Sequence, residues 1–263
     1  MKKVMLNEFT GKEIRQLLSC NEDVVAIVSF GSCENHADHL PLGPDYFVPE
    51  EVARRVAVQL DKTIVVPCTP FGTSLHYNSY PMAISIRFET NIMLAEDIFN
   101  SLLHHGIKRI FIINGHDGNI PAIEIAARNV KEKNRNVSIV FIPAWWDMVG
   151  KKLGDGFFES WSGTGLGHGG EGETSAVMAV RPDLVHLEDA VEQIPEDVFD
   201  NYGVTYIWDI SEISMTGATG APSYATKEKG DIIINCLVDC IVNQIKQLNR
   251  NGWNYAIKNN PVS

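Results

Sequence analysis

The stretch VVAIVSFGSCENHADHLPLGPD, residues 24–45, decides the fold class and points to a site. Its first seven residues lack the polar alternation of a half-exposed strand, which predicts a strand buried on both faces of a sheet. Two imidazoles and three carboxylates follow, on Glu34, His36, Asp38, His39 and Asp45. Burying so many ionisable groups is costly unless something pairs them, and a metal ion is the usual partner. The stretch therefore predicts a metal site directly after a buried strand.

The rest of the chain repeats the alternation of strand and helix. Three more apolar runs predict strands, at 63–70, 108–114 and 137–146. Apolar residues at helical spacing predict helices at 49–60, 91–106, 119–133 and about 231–248. Repeated strand–helix units are typical of a sheet with helices on both sides. We therefore expect one three-layer α/β/α domain over residues 1–263, with a mainly parallel central sheet.

Composition and charge exclude several classes of partner. The formal net charge of −11 at pH 7 argues against nucleic acids and anionic membranes, since both demand basic patches. Nothing approaches the roughly 20 apolar residues of a membrane-spanning helix, and the N-terminus lacks the apolar core of a signal peptide. The five cysteines form no CxxC pair, which favours free thiols in a reducing compartment. We expect a cytoplasmic protein with a small-molecule substrate.

Polar side chains follow two of the predicted strands where each strand ends, at the sheet edge where ligands gather in open α/β sheets. Glu34 and His36 are two residues apart, so in an extended chain they point to the same side. A turn lets Asp45 fold back on them, and His116 follows the 108–114 strand. Such an imidazole–carboxylate set binds Zn²⁺, Mn²⁺ or Fe²⁺, and this one can hold a pair of ions with one bridging aspartate.

The glycine-rich stretch 150–172 predicts a long loop, and loops of that length in compact domains are usually functional. His168 lies in it between glycines, with no core to join, which favours a proton shuttle or a ligand. Glu173 lies at a predicted helix start, where the helix dipole favours an acid, so structural and catalytic roles both stay open. Trp145, Trp146 and Trp161 are candidates for the walls of a pocket for a flat heterocycle.

Four motifs together resemble those of the creatininase (creatinine amidohydrolase) family. They are GSCENHADHLPLGPD (31–45), NGHDGN (114–119), HGGEGETS (168–175) and GATGAPSYATKEKG (217–230). The resemblance spans residues from about 24 to 245 with the spacings kept. It implies a layered α/β fold, commonly a homohexamer, with two divalent ions per subunit and hydrolysis of cyclic or linear amides.

The resemblance also implies roles for single residues. Glu34 and His116 would bind one ion and His36 the other, with Asp45 bridging the two. His168 matches the histidine that handles protons during ring opening.

Two departures from the family pattern matter. Creatininases proper have a glutamate where this chain has Gly118, and an apolar residue where it has Glu171. The physical interpretation is a swap, in which Glu171 supplies the lost carboxylate as the fifth metal ligand. The strip 71–86, with Ser74 and Tyr80, lacks the FPGT usual in relatives, so we expect it to line a pocket for a different substrate. Its His76 is either a site residue or a surface imidazole.

These features predict a divalent-metal-dependent amidohydrolase that cleaves a non-peptide amide C–N bond through a metal-activated water. His168 would protonate the departing nitrogen as general acid. Deformylation of a formylaminopyrimidine and the clipping of a small peptide-derived precursor are alternatives within the same class. A non-catalytic metal-binding oligomer is the alternative from another class.

Overall fold

The computed structural model describes residues 2–19, 23–154, 156–160, 167–195 and 206–254. Its strands are β1 (Val25–Phe30), β2 (Thr63–Thr69), β3 (Arg109–Asn114) and β4 (Ser138–Ile142). Its helices are α1 (Gly11–Ser19), α2 (Pro44–Val58), α3 (Phe88–His104), α4 (Ile120–Lys133), α5 (Trp145–Leu153), α6 (Glu171–Val180) and α7 (Lys227–Arg250).

The four strands form one parallel sheet in the order β2-β1-β3-β4. From β1 the chain passes through α2 to β2 at one edge, then returns past β1 to β3 on the other side. The strand order therefore reverses between β1 and β3, which pair in register from Val25 with Arg109 to Phe30 with Asn114. The crevice beyond the carboxyl ends of two such strands is the usual ligand position in an open α/β sheet.

Successive residues of β1 pack on opposite sides of the sheet, as the period of two requires. Val25 and Ile27 join a cluster with residues of α2, α6 and α7. Ala26 and Val28 join a second cluster with residues of α3 and α4. Burial on both faces explains the uninterrupted apolar run in the sequence. The expected three-layer α/β/α architecture with a parallel central sheet is confirmed.

Several element bounds differ from the sequence predictions. The strand predicted at 137–146 ends at Ile142, because Pro143 lacks the N–H that would extend the ladder, and α5 begins at Trp145. Helix α2 begins five residues before its predicted start, with Pro44 at its first position, where a missing N–H costs little. The loop expected over 150–172 is shorter, since α5 runs to Leu153 and α6 starts at Glu171.

Among the described residues, no helix combines the length and the apolar character needed to cross a bilayer.

Candidate metal centre

Five buried side chains from four segments meet beyond the carboxyl ends of β1 and β3. Two come from the loop after β1, one from the first turn of α2, one from the segment after β3 and one from the first turn of α6. They are Glu34, His36, Asp45, His116 and Glu173, and we call them the metal cluster. Adjacent pairing of β1 with β3 positions the first four, and packing of α6 against α2 adds the fifth.

The metal cluster divides into two groups that share Asp45. In the first, Nδ1 of His116 lies 3.2 Å from Glu34 Oε1 and 3.3 Å from Asp45 Oδ2. In the second, Nε2 of His36 lies 3.4 Å from Asp45 Oδ1 and 3.5 Å from Glu173 Oε1. Ligand atoms around a tetrahedral ion with bonds of about 2.0–2.1 Å lie about 3.3 Å apart, so the spacings fit two ions bridged by one carboxylate.

Neighbouring groups fix the orientation of both imidazoles. The other ring nitrogen of His116, Nε2, lies 2.9 Å from the carbonyl oxygen of Thr73 and donates to it. The other nitrogen of His36, Nδ1, similarly donates to the carbonyl oxygen of Glu34 at 3.2 Å. Each hydrogen bond leaves the nitrogen that faces the carboxylates as the basic one, which is the arrangement of metal-binding histidines. Ser32 Oγ donates to Asp45 Oδ2 at 2.6 Å and holds the shared carboxylate.

Buried atoms of the metal cluster lack partners. Within the described part of the chain, three of these atoms have no hydrogen-bond partner: both carboxylate oxygens of Glu34 and Nε2 of His36. Both residues are fully buried. Native proteins rarely leave such atoms unsatisfied, and an unseen ion is one of the usual reasons. The donor set of two imidazoles and three carboxylates therefore fits a pair of divalent cations.

The pKa values of the cluster indicate the same demand for positive charge. Burial alone would lower the pKa of His36, but attraction by Glu173 and Asp45 outweighs burial and raises it well above its usual value. For His116, burial is likewise outweighed by Glu34 and Asp45, and its pKa is raised. Burial would raise the pKa of Asp45, yet His36 and His116 hold it well below its usual value. The carboxylates therefore favour positive charge at the imidazoles, which is the charge that a metal ion would supply.

Glu171, the expected fifth ligand, has other partners in the structure. Its carboxylate, 1% exposed, accepts hydrogen bonds from the backbone N–H groups of Glu159 and Ser160 and from Ser160 Oγ. Lys229 Nζ binds it at 2.5 Å and also contacts Glu159. We call these four residues the Glu171 anchor. Because its carboxylate is already paired and fully hydrogen-bonded, Glu171 does not join His36; Glu173 does, with its other oxygen held by the N–H of Gly169 at 2.7 Å.

In the expected swap, Glu171 supplies the carboxylate missing at Gly118; in the structure, the α6 carboxylate that faces His36 is that of Glu173. Gly118 itself leaves no room for a side chain. A Cβ there would clash with the Thr73 carbonyl oxygen and lie 2.6 Å from Nε2 of His116.

His168 lies against the second group. Its Nε2 donates to the carbonyl oxygen of Asn35 at 2.7 Å, and its ring centroid is 4.1 Å from that of His36 and 4.5 Å from that of Tyr77. Burial and the charge of His36 lower its pKa to about 4, so the ring is neutral near pH 7. Its Nδ1 is then the basic nitrogen. One ring nitrogen also lies within 4.8 Å of ligand atoms of Glu34 and His36, so proton transfer and ligation are both within reach.

The residues expected to line the substrate pocket have different surroundings. Trp145, 2% exposed, belongs to the core cluster of α2, α6 and α7. Trp146 is partly buried and packs against that cluster. Trp161 lies outside the described residues. Ser74 is buried with its Oγ 3.3 Å from Nε2 of His116, beside the metal cluster. Tyr80 donates its hydroxyl hydrogen to the carbonyl oxygen of Ser214 at 2.7 Å.

Other polar residues near the centre were not assigned from the sequence. His76 reaches it: its Nε2 lies 3.5 Å from Asp117 Oδ1, and its ring stacks on that of His116 at 5.7 Å. The sequence signal for a role of Asp117 at the centre was its position directly after His116 in NGHDGN. His39, in contrast, is buried and donates from Nε2 to the carbonyl oxygen of Gly169 at 3.0 Å, which holds the glycine turn around His168. Asp38 is exposed.

Comparison with known proteins identifies relatives along most of the chain. The profile named creatininase, creatinine amidohydrolase, matches residues 7–245. Creatinine amidohydrolase of Pseudomonas putida is 28% identical over 94% of this chain and 97% of its own length. A mycofactocin precursor peptide peptidase of Mycobacterium ulcerans is 25% identical over 83% of each chain.

Solved structures agree with these relatives. A crystal structure of creatinine amidohydrolase (creatininase) matches with a TM-score of 0.80 at 28% identity, over 94% of this chain and 98% of the other. Other matches are a manganese form of creatininase, TM-score 0.81, and a zinc–zinc form of a creatininase mutant, TM-score 0.80. The chain therefore belongs to the creatininase family of amidohydrolases, which are hydrolases acting on carbon–nitrogen bonds.

Proposed function

We propose that the chain is a two-metal amidohydrolase that cleaves a small, non-peptide amide. Glu34, Asp45 and His116 would hold one ion, and His36, Asp45 and Glu173 the other. The observation that carries the proposal is the position of Asp45, whose two oxygens face two different histidines at 3.4 and 3.3 Å. The ions would be zinc, manganese or iron, since mixed imidazole–carboxylate sets suit all three.

The ions and the chain would supply different parts of the chemistry. When bound, such ions lower the pKa of a water to about 7 and polarise a carbonyl oxygen. The chain fixes the ligand atoms beforehand through the carbonyl groups of Thr73 and Glu34 and the hydroxyl of Ser32. Preorganised groups of this kind avoid the cost of reorientation during the reaction.

We assign proton handling to His168. Its neutral ring can accept a proton at Nδ1 and pass it to the departing nitrogen, while the hydrogen bond from Nε2 to Asn35 keeps the ring in place. Ligation by His168 is the alternative. Replacing His168 with Ala separates the two: we expect turnover to fall by about 100-fold or more with the metal content unchanged. A lost ion would make His168 a ligand, and unchanged turnover would remove it from the mechanism.

The proposal includes three candidate substrates. Creatinine, a formylaminopyrimidine and a short peptide precursor are the three candidates, and relatives named creatinine amidohydrolase and mycofactocin precursor peptide peptidase support the first and the last. Ser74 and Tyr80 stay the proposed substrate-binding residues: Ser74 Oγ lies near His116, and the Tyr80 hydroxyl donates to the carbonyl oxygen of Ser214. A cyclic or formyl amide remains our first proposal, in line with the non-peptide expectation from the sequence.

The decisive experiment combines metal content and a substrate panel. Elemental analysis of protein prepared without chelator should give two divalent ions per chain, and the same preparation should hydrolyse one member of the panel. Removal of the ions by chelator should abolish that hydrolysis, and their return should restore it. Two bound ions with no hydrolysis of any panel amide would favour the non-catalytic metal-binding oligomer instead.

Further properties belong to the same proposal. We propose one domain over residues 1–263, a cytoplasmic location and a homohexamer, as the family resemblance implies for the assembly. Unpaired Cys33, Cys68, Cys236 and Cys240 support a reducing compartment. The mass of the native particle, measured by light scattering, tests the hexamer.

A further inference from the structure

The segment 217–230, GATGAPSYATKEKG, contributes no residue to the metal cluster, although it is one of the four motifs that carry the family resemblance. Its Thr219, 3% exposed, instead contacts the backbone of His168. The N–H of His168 donates to Thr219 Oγ1 at 3.1 Å, and the N–H of Thr219 donates to the carbonyl oxygen of His168 at 2.6 Å. One residue therefore binds both backbone polar groups of His168.

The turn that carries His168 needs such support. Residues 167–170 lie outside the helices and strands, and the glycines on either side of His168 have positive φ angles, 71° at Gly167 and 60° at Gly169. Glycine adopts this conformation without strain but also leaves it readily, because no Cβ restricts the backbone. Within the described part of the chain, Thr219 is the only residue that hydrogen-bonds the backbone of His168. The position of His168 therefore depends on Thr219.

Thr219 is itself held by contacts on both sides. The next residue, Gly220, pairs with Gln193 in an antiparallel bridge through two backbone hydrogen bonds. On the other side, Ser214 Oγ donates to the carbonyl oxygen of Ala218 at 2.6 Å. None of these bonds involves the glycine turn, so they fix Thr219 independently of it. A support of this kind restricts the group that it holds.

The ring of His168 is fixed at its far end. Its Nε2 donates to the carbonyl oxygen of Asn35 at 2.7 Å, so the backbone bonds to Thr219 and this ring bond hold the residue at two separate points. A proton carrier has to lie within hydrogen-bond reach of its partner, and a shift of about 1 Å can lower a rate by about 100-fold. Loss of the backbone bond would therefore let the other ring nitrogen, Nδ1, move out of reach of the substrate.

We propose that Thr219 is a positioning residue, whose hydroxyl and N–H hold the backbone of His168 so that the ring reaches the metal cluster. The inference rests on the proposed function, because it takes His168 as the proton carrier. It gives the 217–230 motif a part in the reaction that acts through His168 and not through metal binding.

The first test measures whether Thr219 holds His168. Thr219→Val keeps the shape of the side chain and removes the acceptor of the His168 N–H, whereas Thr219→Ser keeps the hydroxyl. Hydrogen exchange is followed by mass spectrometry on the full chain. In the segment 167–170, we expect one amide to exchange at least about tenfold faster in Thr219→Val and at nearly the wild-type rate in Thr219→Ser. Thr219→Ala, which also lacks the hydroxyl, replaces Thr219→Val if that variant does not fold. Equal exchange in all proteins would overturn the proposal.

The second test measures turnover of the panel amide that the wild type hydrolyses. Thr219→Val should lower kcat by about tenfold or more, with KM changed by less than about twofold and the metal content unchanged, and Thr219→Ser should restore most of kcat. In the His168→Ala background, Thr219→Val should change kcat by less than about twofold, since its effect passes through a ring that is absent. A merely structural role predicts the same further loss in both backgrounds, and that result would overturn the proposal.

Thr216→Val is the matched control. It is the same substitution in the same segment, at a threonine whose Oγ1 accepts from the N–H of Ala218 at 3.4 Å instead of from His168. Exchange and kcat should stay at the wild-type values, and a loss like that of Thr219→Val would count against a specific role of Thr219. If the wild type hydrolyses no panel amide, the proposed function fails, whereas the exchange rates still decide whether Thr219 holds His168.

Discussion

Glu171 and Glu173 lie in the same first turn of α6, two residues apart, and are buried to a similar degree, yet their carboxylates have opposite surroundings. In the Glu171 anchor, Lys229, two backbone N–H groups and a hydroxyl satisfy the charge. In the metal cluster, Glu173 turns one oxygen to Gly169 and the other to His36. Burial and position on the helix therefore do not distinguish a metal ligand from a structural acid. The partners around each carboxylate do.

The largest effect is expected from Asp45→Asn, because Asp45 belongs to both groups of the metal cluster. The amide keeps the shape but loses the charge that would bridge two ions. We expect the affinity for both ions to fall by more than about 100-fold. This loss is larger than that caused by replacing groups that only hydrogen-bond to the metal ligands. Elemental analysis and turnover measure it. Asp38→Asn, an exposed neighbour in the same loop, is the control and should keep two ions. Two retained ions in Asp45→Asn would break the bridging assignment.

A second experiment compares the two glutamates directly. Glu173→Gln should remove about one ion per chain, since it takes the carboxylate from the His36 group and leaves the His116 group intact. Glu171→Gln should keep both ions, because its carboxylate faces Lys229. Metal titration of each variant under the same conditions measures the difference. The reverse pattern, with an ion lost from Glu171→Gln alone, would restore the ligand role expected from the sequence.

Lys229→Met tests the Glu171 anchor through stability. It leaves a buried carboxylate without its cation, and we expect the free energy of unfolding to fall by about 2–3 kcal/mol. Lys227→Met is the control from the same helix: its pair with Asp231 is about half exposed on both sides and should contribute below about 1 kcal/mol. Urea denaturation at one fixed protein concentration measures both. Similar losses in the two variants would mean that the anchor is no stronger than a surface pair.

The same comparison explains what the sequence could predict. Strands β1 and β3 were predictable because burial on both faces leaves an unbroken apolar run, and the ligands at their ends followed from the parallel arrangement. Glu171 could not be told from Glu173, because Lys229 is 58 residues away in the chain and becomes its partner only when α7 packs on α6. The burial of Trp145 could not be predicted for the same reason, since it depends on contacts with helices that are distant in the chain.

Ser160→Ala should give the smallest effect, because Ser160 keeps its backbone N–H bond to Glu171 and loses only the hydroxyl. We expect about 1 kcal/mol less stability, below the roughly 1.5–3 kcal/mol of a hydrogen bond to a charged group, because the carboxylate keeps its other donors. In the Lys229→Met background the same change should cost about 0.5–1 kcal/mol more, since the unpaired carboxylate then depends on its remaining donors. Urea denaturation of the four proteins completes the cycle. Strict additivity would mean that Lys229 and Ser160 do not stabilise the same carboxylate. The segment 156–160 would then be held to the start of α6 by something other than Glu171.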